Sequence, residues 1–522
     1  MLSDASVVER GGVTALLHDR ATRDPDRVLV RFDRDWSLGE IAALSERVAA
    51  RLVQAGVRRG SRVAVMLPNE VWWPVCWFAI ARVGAVMVPV NVAYRVEDLR
   101  HVLIDSSAML VIASSRTMPV VAEVTASIDG LDVVTFESGT GATGISTSWA
   151  AVGSDEPPPP AVLGGLPDGA SLLSLQYTSG TTGFPKACML EHRYWYEVGQ
   201  VAVEHASLNA VDVILTTQPF SYMDPQWNVI AALISGATLV VLPRFSPRTF
   251  WPAVRDHGVT WCYMVGTMPV FLASLPDARE RPADSLRFVT CSGIVPEMHA
   301  EFERRWKVPW REAYGMTETG VDLACAVDAT WTVGSGHLGD VVPGKEMRIV
   351  GDREEVVDGP GSGELQVRGR PMMLGYWNRP DDEQVIDADG WLHTGDIVER
   401  SADGALCLVG RSKDMIRRAG ENVAAAEVEA VMVLHPGVVA VAVVGVPDRA
   451  RGEEVKAFVQ CGPNRPEPSA LHQFAADRLA AFKVPRYIEY VDSFPMTSSE
   501  RIAKHQLVHG DAWDAVAMNA GP

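Results

Sequence analysis

Residues 177–186, with the sequence Y-T-S-G-T-T-G-F-P-K, combine the groups that a phosphate-binding loop needs. Gly180 and Gly183 let the backbone approach a ligand closely, the hydroxyl groups supply donors, and Lys186 supplies a positive charge. The loop lacks the G-x-x-x-x-G-K-S/T spacing, because its glycines are three residues apart and Lys186 follows a proline. A turn of this composition is also common on ordinary surfaces, so other parts of the chain must decide between the two interpretations.

A second candidate lies at residues 314–318, Y-G-M-T-E, where an aromatic ring, a hydroxyl and a carboxylate fall within five residues. Glu318 suits Mg²⁺, because that ion is commonly held by one or two carboxylates together with phosphate oxygens of a substrate. Thr317 and Glu318 would equally serve as caps in the first turn of a helix. Taken alone, this segment favours the helix cap.

Five motifs together resemble the adenylate-forming superfamily, which comprises acyl-CoA synthetases, peptide-synthetase adenylation domains and luciferases. The similarity runs from about Arg27 to about Leu507. The motifs occur in the superfamily's order and are the loop at 177–186, Y-G-M-T-E at 314–318, G-E-L at 363–365 through G-Y-W at 375–377, T-G-D at 394–396 and G-R-S-K-D at 410–414. An ordered set of five favours the functional interpretation of each.

The resemblance implies binding of ATP with Mg²⁺. Tyr314 is then expected to stack on adenine, while Asp396 and Arg411 contact the ribose. Thr317 is expected to contact the α-phosphate, and Glu318 to hold the metal. The complete set of expected nucleotide contacts is Thr178, Ser179, Gly180, Thr181, Thr182, Gly183, Lys186, Tyr314, Gly315, Met316, Asp396 and Arg411. Without the resemblance, Asp396 would be a common turn residue and Arg411 a surface charge.

The same resemblance assigns residues near the C-terminus. Lys413 corresponds to the hinge about which a small domain swings, and Gly420 to the glycine beside which pantetheine passes. The superfamily's pattern P-x-T-x-x-G-K has Arg501 in place of its lysine, a change similar to that in carnitine-CoA-ligase-like members. Arginine keeps the charge but is not equivalent to a compact ammonium group. Lys504 is the second candidate for the cation that assists adenylation.

The acid pocket is expected from residues 219–228, 261–266, 292–296 and those after 318, again by resemblance. Its candidate side chains are Tyr222, Trp227, Tyr263, Ser292, Gly293 and Ile294. Tyr222 stands where many acyl-CoA synthetases have a histidine. The aromatic residues favour a mid-sized or aromatic acid, although aromatic side chains on buried elements are more often plain core.

Composition excludes several classes of function. A chain of 522 residues with 47% hydrophobic content is long enough for at least two domains. Its net charge of −18 argues against nucleic acid or an anionic membrane as main partner. Seven scattered cysteines without a C-x-x-C pair, and an N-terminus lacking an apolar signal core, favour a cytoplasmic protein. The apolar run at 71–90 contains prolines and Arg82, and is expected to be a buried helix and strand rather than a membrane span.

The periodicity predicts an α/β fold. Strand and helix patterns alternate from residue 39 to about 291, which indicates parallel sheets covered by helices, and a β-rich portion is expected from 347 to 409. We expect a large N-terminal domain, 1–410, of stacked sheets with flanking helices. A small mobile α+β domain, 411–522, is expected to follow.

These observations predict an enzyme that adenylates a carboxylic acid with MgATP, releases pyrophosphate and transfers the acyl group to a thiol, most simply CoA. The alternatives left open are another acceptor (a carrier protein or an amine), nitrite activation for diazotization of an aryl amine, and a non-catalytic nucleotide-binding homologue. The identity of the acid and the oligomeric state, including a homodimer, are also left open.

Overall fold

The computed structural model describes residues 3–136, 165–178, 185–265, 268–273, 284–351, 353–380, 384–411, 414–418, 421–448, 451–496, 502–507 and 510–516. The helices in these ranges are α1 (Asp4–Arg23), α2 (Leu38–Gln54), α3 (Trp72–Val83), α4 (Val96–Ser106), α5 (Met118–Thr125), α6 (His192–Ala206), α7 (Met223–Ser235), α8 (Pro247–Asp256), α9 (Met268–Ala273), α10 (Pro296–Trp306), α11 (Ala425–Met432) and α12 (Pro468–Ala476). The strands are β1 (Val28–Arg31), β2 (Asp35–Ser37), β3 (Arg62–Met66), β4 (Val86–Pro89), β5 (Leu110–Ser114), β6 (Asp132–Phe136), β7 (Leu172–Thr178), β8 (Lys186–Glu191), β9 (Val213–Thr216), β10 (Thr238–Val241), β11 (Trp261–Val265), β12 (Phe288–Ser292), β13 (Trp310–Met316), β14 (Gly320–Ala324), β15 (Asp340–Val341), β16 (Lys345–Val350), β17 (Gly361–Gly369), β18 (Leu392–Arg400), β19 (Leu406–Arg411), β20 (Met415–Arg418), β21 (Glu421–Ala424), β22 (Val438–Asp448), β23 (Gly452–Cys461), β24 (Tyr487–Val491) and β25 (Trp513–Asp514).

Two largely parallel sheets make up most of the N-terminal part. One has the strand order β15-β14-β13-β12-β11-β9-β10-β1-β2, and the other has the order β6-β5-β3-β4-β7-β8. Neighbours from β13 to β1 run parallel in the first sheet, as do those from β6 to β7 in the second. The predicted α/β fold with stacked sheets is therefore confirmed.

Each sheet is buried on both faces, because successive side chains of a strand point in opposite directions. In β10, Leu239 and Val241 enter the largest apolar cluster, whereas Val240 enters a second cluster with Phe250 of α8 and Phe302 of α10. In β3, Val63 and Val65 join the largest cluster and Ala64 joins a third one beneath α4 and α5. The largest cluster, which includes α3, α6 and α7, thus lies between the two sheets.

The apolar run at 71–90 forms α3 and β4, as predicted from its prolines and Arg82. Trp73 and Trp77 of α3 have no exposed surface. A helix that is apolar all round belongs in the core of a large protein. Among the described helices, none has the length and hydrophobicity needed to cross a membrane.

The predicted β-rich portion is the antiparallel sheet with the strand order β16-β17-β18-β19. A further sheet follows it, with the order β21-β20-β23-β24-β25 and with β22 paired to β23. This last sheet packs with α11 and α12 around its own apolar cluster. The predicted α+β character of this part is thus seen in these two helices and this sheet. Sheet membership changes between Arg411 and Met415, next to the predicted domain boundary, which remains a prediction.

Candidate active site

The carboxyl ends of four neighbouring strands, β9, β11, β12 and β13, meet at one edge of the nine-stranded sheet. Ligands of open α/β sheets bind in crevices at such edges. A cleft of about 180 Å³ lies here. The predicted site residues that line it are Thr178, Tyr222, Trp227, Tyr263, Ser292, Tyr314, Gly315, Met316, Thr317, Glu318 and Arg411.

Asp396 lies on β18 and is held between two donors, Tyr314 and Arg411, which line the cleft. The Tyr314 hydroxyl donates to Oδ2 at 2.6 Å, and Arg411 Nε donates to Oδ1 at 2.9 Å. Arg411 reaches Asp396 because the two are paired across the antiparallel strands β18 and β19. Burial, and then the Asp396 carboxylate, raises the pKa of Tyr314 well above its ordinary value, so Tyr314 stays a donor. The structure thereby joins three predicted nucleotide-binding residues.

The turn between β13 and β14 carries Thr317 and Glu318. The Thr317 carbonyl accepts a hydrogen bond from the Tyr194 hydroxyl at 2.7 Å, and Glu318 Oε1 accepts one from the Tyr376 hydroxyl at 2.7 Å. Neither residue caps a helix, since β14 follows the turn. Gly315 is required sterically, because a Cβ there would lie 2.0 Å from the carbonyl oxygen of Gly320. The turn is therefore rigidly anchored at the cleft.

The base of the predicted phosphate-binding loop is formed by β7 and β8, where Thr178 pairs with Lys186. The Lys186 ammonium nitrogen lies 5.4 Å from the ring centroid of Tyr376, the residue that binds Glu318. Lys186 at the base of the loop and the Glu318 carboxylate thus share Tyr376 as a neighbour. The predicted loop residues Ser179, Gly180, Thr181, Thr182 and Gly183 lie outside the described residues, as do Lys413, Gly420 and Arg501.

Aromatic side chains line the part of the cleft predicted to take the acid. The ring centroids of Trp227 and Tyr263 are 5.2 Å apart at an angle of 78°. The hydroxyls of Tyr263 and Ser292 lie 2.6 Å apart, and Asn91 Nδ2 donates to the Tyr222 hydroxyl at 2.8 Å. These bonds hold the polar ends of the rings and leave their apolar surfaces for packing.

Gly293 and Ile294, which follow β12, are held through their backbone amides, and their predicted place in the acid pocket stays a prediction. Their backbone amides donate to the two oxygens of Glu312, at 2.7 Å and 2.8 Å. Burial raises the pKa of Glu312 to about 8, although these hydrogen bonds oppose the shift. Glu312 therefore fixes the chain between β12 and α10 beside the cleft.

Lys504 lies in the C-terminal part, on a short 3₁₀ turn. Its Nζ is 2.8 Å from Oε1 of Glu429 on α11. The pair is partly buried, with side-chain exposures of 26% and 24%. In this arrangement Lys504 serves the packing of α11, and its predicted catalytic role stays a prediction.

Several residues at the site had no role assigned from the sequence, among them Asn91, Tyr194, Asp224, Glu312 and Tyr376. Tyr376 falls within the G-Y-W motif at 375–377, and Asp224 follows the predicted pocket residue Tyr222 by two positions. Both could therefore have been singled out from the sequence. Asn91 and Glu312 could not have been singled out in this way, because their hydrogen-bond partners depend on the order of strands in the sheets.

The chain is similar to known proteins over nearly its whole length. The family of AMP-binding enzymes matches residues 17–377, and the C-terminal domain of AMP-binding enzymes matches residues 427–501. A feruloyl-CoA synthase of an Amycolatopsis species is 33% identical and covers 94% of this chain and 96% of its own. A fatty acid–acyl-carrier-protein ligase of Streptomyces coeruleorubidus is 32% identical over 89% of both chains. The structure of ATP-bound MatB from Rhodopseudomonas palustris superposes with a TM-score of 0.83 at 25% identity, covering 95% of this chain and 98% of that one.

Proposed function

Since the chain belongs to the family of AMP-binding enzymes, we propose that it is an AMP-forming ligase that activates a carboxylic acid with ATP and transfers the acyl group to the thiol of CoA. The observation that carries the proposal is the convergence of Tyr314, Asp396 and Arg411 with the turn at Thr317 and Glu318 around one cleft. A nucleotide and an acid can meet there.

In the first step, a carboxylate oxygen of the acid attacks the α-phosphorus of ATP, and the bond to the β-phosphate oxygen breaks to release pyrophosphate. The chain acts by positioning and by neutralising charge, because ATP already contains its leaving group. Asp396 would accept hydrogen bonds from the ribose hydroxyls through lone pairs that Tyr314 and Arg411 leave available. Thr317 and Lys186 would face the phosphates.

Magnesium fits this donor set when it arrives with the nucleotide. The described residues contain no group of three or more His, Cys, Asp or Glu that would hold a metal without a substrate. Glu318 can offer a carboxylate oxygen while Oε1 stays bound to Tyr376, and phosphate oxygens and water would complete the coordination. The ion would supply positive charge at the phosphates.

In the second step, the thiol attacks the acyl carbon of the adenylate, AMP leaves, and a thioester forms. CoA is the simplest acceptor. The similarity to a protein named as a feruloyl-CoA synthase supports this choice. A carrier-protein thiol is the second candidate, since the relative from Streptomyces coeruleorubidus is named for that acceptor. Both acceptors present the same pantetheine thiol.

Product analysis tests the proposal. The protein is incubated with MgATP, a panel of acids, and either CoA or a pantetheinylated carrier protein, and the products are identified by mass spectrometry. We expect AMP, pyrophosphate and a thioester. Appearance of ADP as the nucleotide product would contradict the assignment, and a thioester on the carrier protein alone would select the second acceptor.

A further inference from the structure

Asp224 introduces a carboxylate into the acid side of the cleft. It lies in the first turn of α7 and lines the cleft together with Tyr222, Trp227 and Tyr263. Its Oδ1 accepts a hydrogen bond of 3.2 Å from the indole nitrogen of Trp227, and its backbone oxygen accepts one of 2.7 Å from Asn228. We call the part of the cleft lined by Tyr222, Trp227 and Tyr263 the slot, and its wall holds the Asp224 carboxylate in place.

The charge of Asp224 reaches the other aromatic wall. Burial, and then the Asp224 carboxylate, raises the pKa of Tyr263 well above its ordinary value. Tyr263 itself packs edge-on against Trp227, with ring centroids 5.2 Å apart. A substrate that fills this slot therefore meets a negative charge and aromatic rings together.

This combination discriminates among acids. A hydrocarbon group on the substrate would displace water from the Asp224 carboxylate without offering a hydrogen-bond donor in return, which is unfavourable. A second carboxylate on the substrate would be repelled. An amino group would donate a charge-assisted hydrogen bond to Asp224, and a cationic nitrogen is also attracted to aromatic ring faces.

We propose, on the basis of the function proposed above, that the acid substrate carries an amino group on the part that fills the slot, and that Asp224 is the residue that selects it. The class is an amino-substituted acid of aromatic or similar size. Asp224 then sets specificity and takes no part in adenylation itself.

The test uses three acyl-adenylate mimics that differ only at one group: the sulfamoyladenosine derivatives of 4-(aminomethyl)benzoate, 4-ethylbenzoate and 4-(carboxymethyl)benzoate. Their dissociation constants are measured by calorimetry, with AMP alone in parallel. We expect the aminomethyl probe to bind about 10-fold or more tighter than the ethyl probe, the range of a hydrogen bond to a charged group, and the carboxymethyl probe to bind most weakly.

Asp224→Asn should reduce the preference for the aminomethyl probe to about threefold or less, while Asp224→Glu retains it. Glu399→Gln, which removes an exposed carboxylate elsewhere, is the matched control and should change nothing. Equal affinity of the aminomethyl and ethyl probes, or probes no tighter than AMP, would overturn this inference alone. Failure of AMP and of all three probes to bind would overturn the proposed function with it.

Discussion

The hydroxyl of Tyr314 donates a 2.6 Å hydrogen bond to Oδ2 of Asp396 across 82 residues of sequence. The bond ties the end of β13 in the nine-stranded sheet to β18 in the antiparallel sheet. Arg411 completes the arrangement from β19. Three separate strands thus converge on one buried carboxylate, which is 4% exposed.

Asp396→Ala should weaken the use of ATP by about 1.5 to 3 kcal/mol, the scale of a lost hydrogen bond to a charged group. Tyr314→Phe should have a smaller effect, about 1 kcal/mol, because the carboxylate and Arg411 remain paired. The measurement is kcat/KM for ATP in pyrophosphate exchange, with Glu399→Gln on the same strand as control. Unchanged kinetics in Asp396→Ala would remove Asp396 from the site.

Glu312→Gln should change how stability depends on pH. The pKa of Glu312 is raised to about 8 in the folded protein, against about 4.3 for an unfolded glutamate. The folded state therefore binds more protons between these values, so this group's contribution to the free energy of unfolding is full below about pH 4 and is lost as pH rises through about 8. A glutamine side chain does not titrate, so it makes no pH-dependent contribution to the free energy of unfolding.

The free energy of unfolding of both proteins is measured with urea from pH 5.5 to 9. We expect the advantage of the wild type over Glu312→Gln to shrink as pH rises, since all other groups are common to both. A difference that stays constant with pH would mean that Glu312 remains ionised throughout, held by the amides of Gly293 and Ile294.

Local pattern was enough to predict the alternation of strands and helices, and the family motifs singled out residues, such as Tyr314 and Thr317, that the structure brings to one cleft. The apolar run at 71–90 and the alternation before residue 291 led to α3, β4 and the parallel sheets. Contacts made only by tertiary pairing could not be predicted. Tyr376 meets Glu318 across 58 residues, and Asn91 meets Tyr222 across 131, because the order of strands in the sheets brings them together. Lys504 shows the same limit through its pairing with Glu429.

Gly420→Leu tests the predicted path of pantetheine, at a position outside the described residues. The added side chain should fill the path, so thioester formation should be blocked while adenylation is spared. Pyrophosphate exchange and thioester yield are assayed on one preparation, each step serving as control for the other. Equal loss of both steps would indicate misfolding or a wrong path, and a wild-type rate of thioester formation would place the thiol elsewhere.

Arg501→Ala should slow adenylation by roughly two orders of magnitude, about 2.7 kcal/mol, because charge at the α-phosphate must be neutralised as the carboxylate attacks. Arg501→Lys should keep measurable activity, since it retains the positive charge. Lys504→Ala is the matched comparison: it breaks the ion pair with Glu429, so it should lower stability modestly and leave pyrophosphate exchange near the wild-type rate. A large defect in Lys504→Ala with none in Arg501→Ala would transfer the role to Lys504. No defect in either variant would mean that the C-terminal segment does not supply this cation.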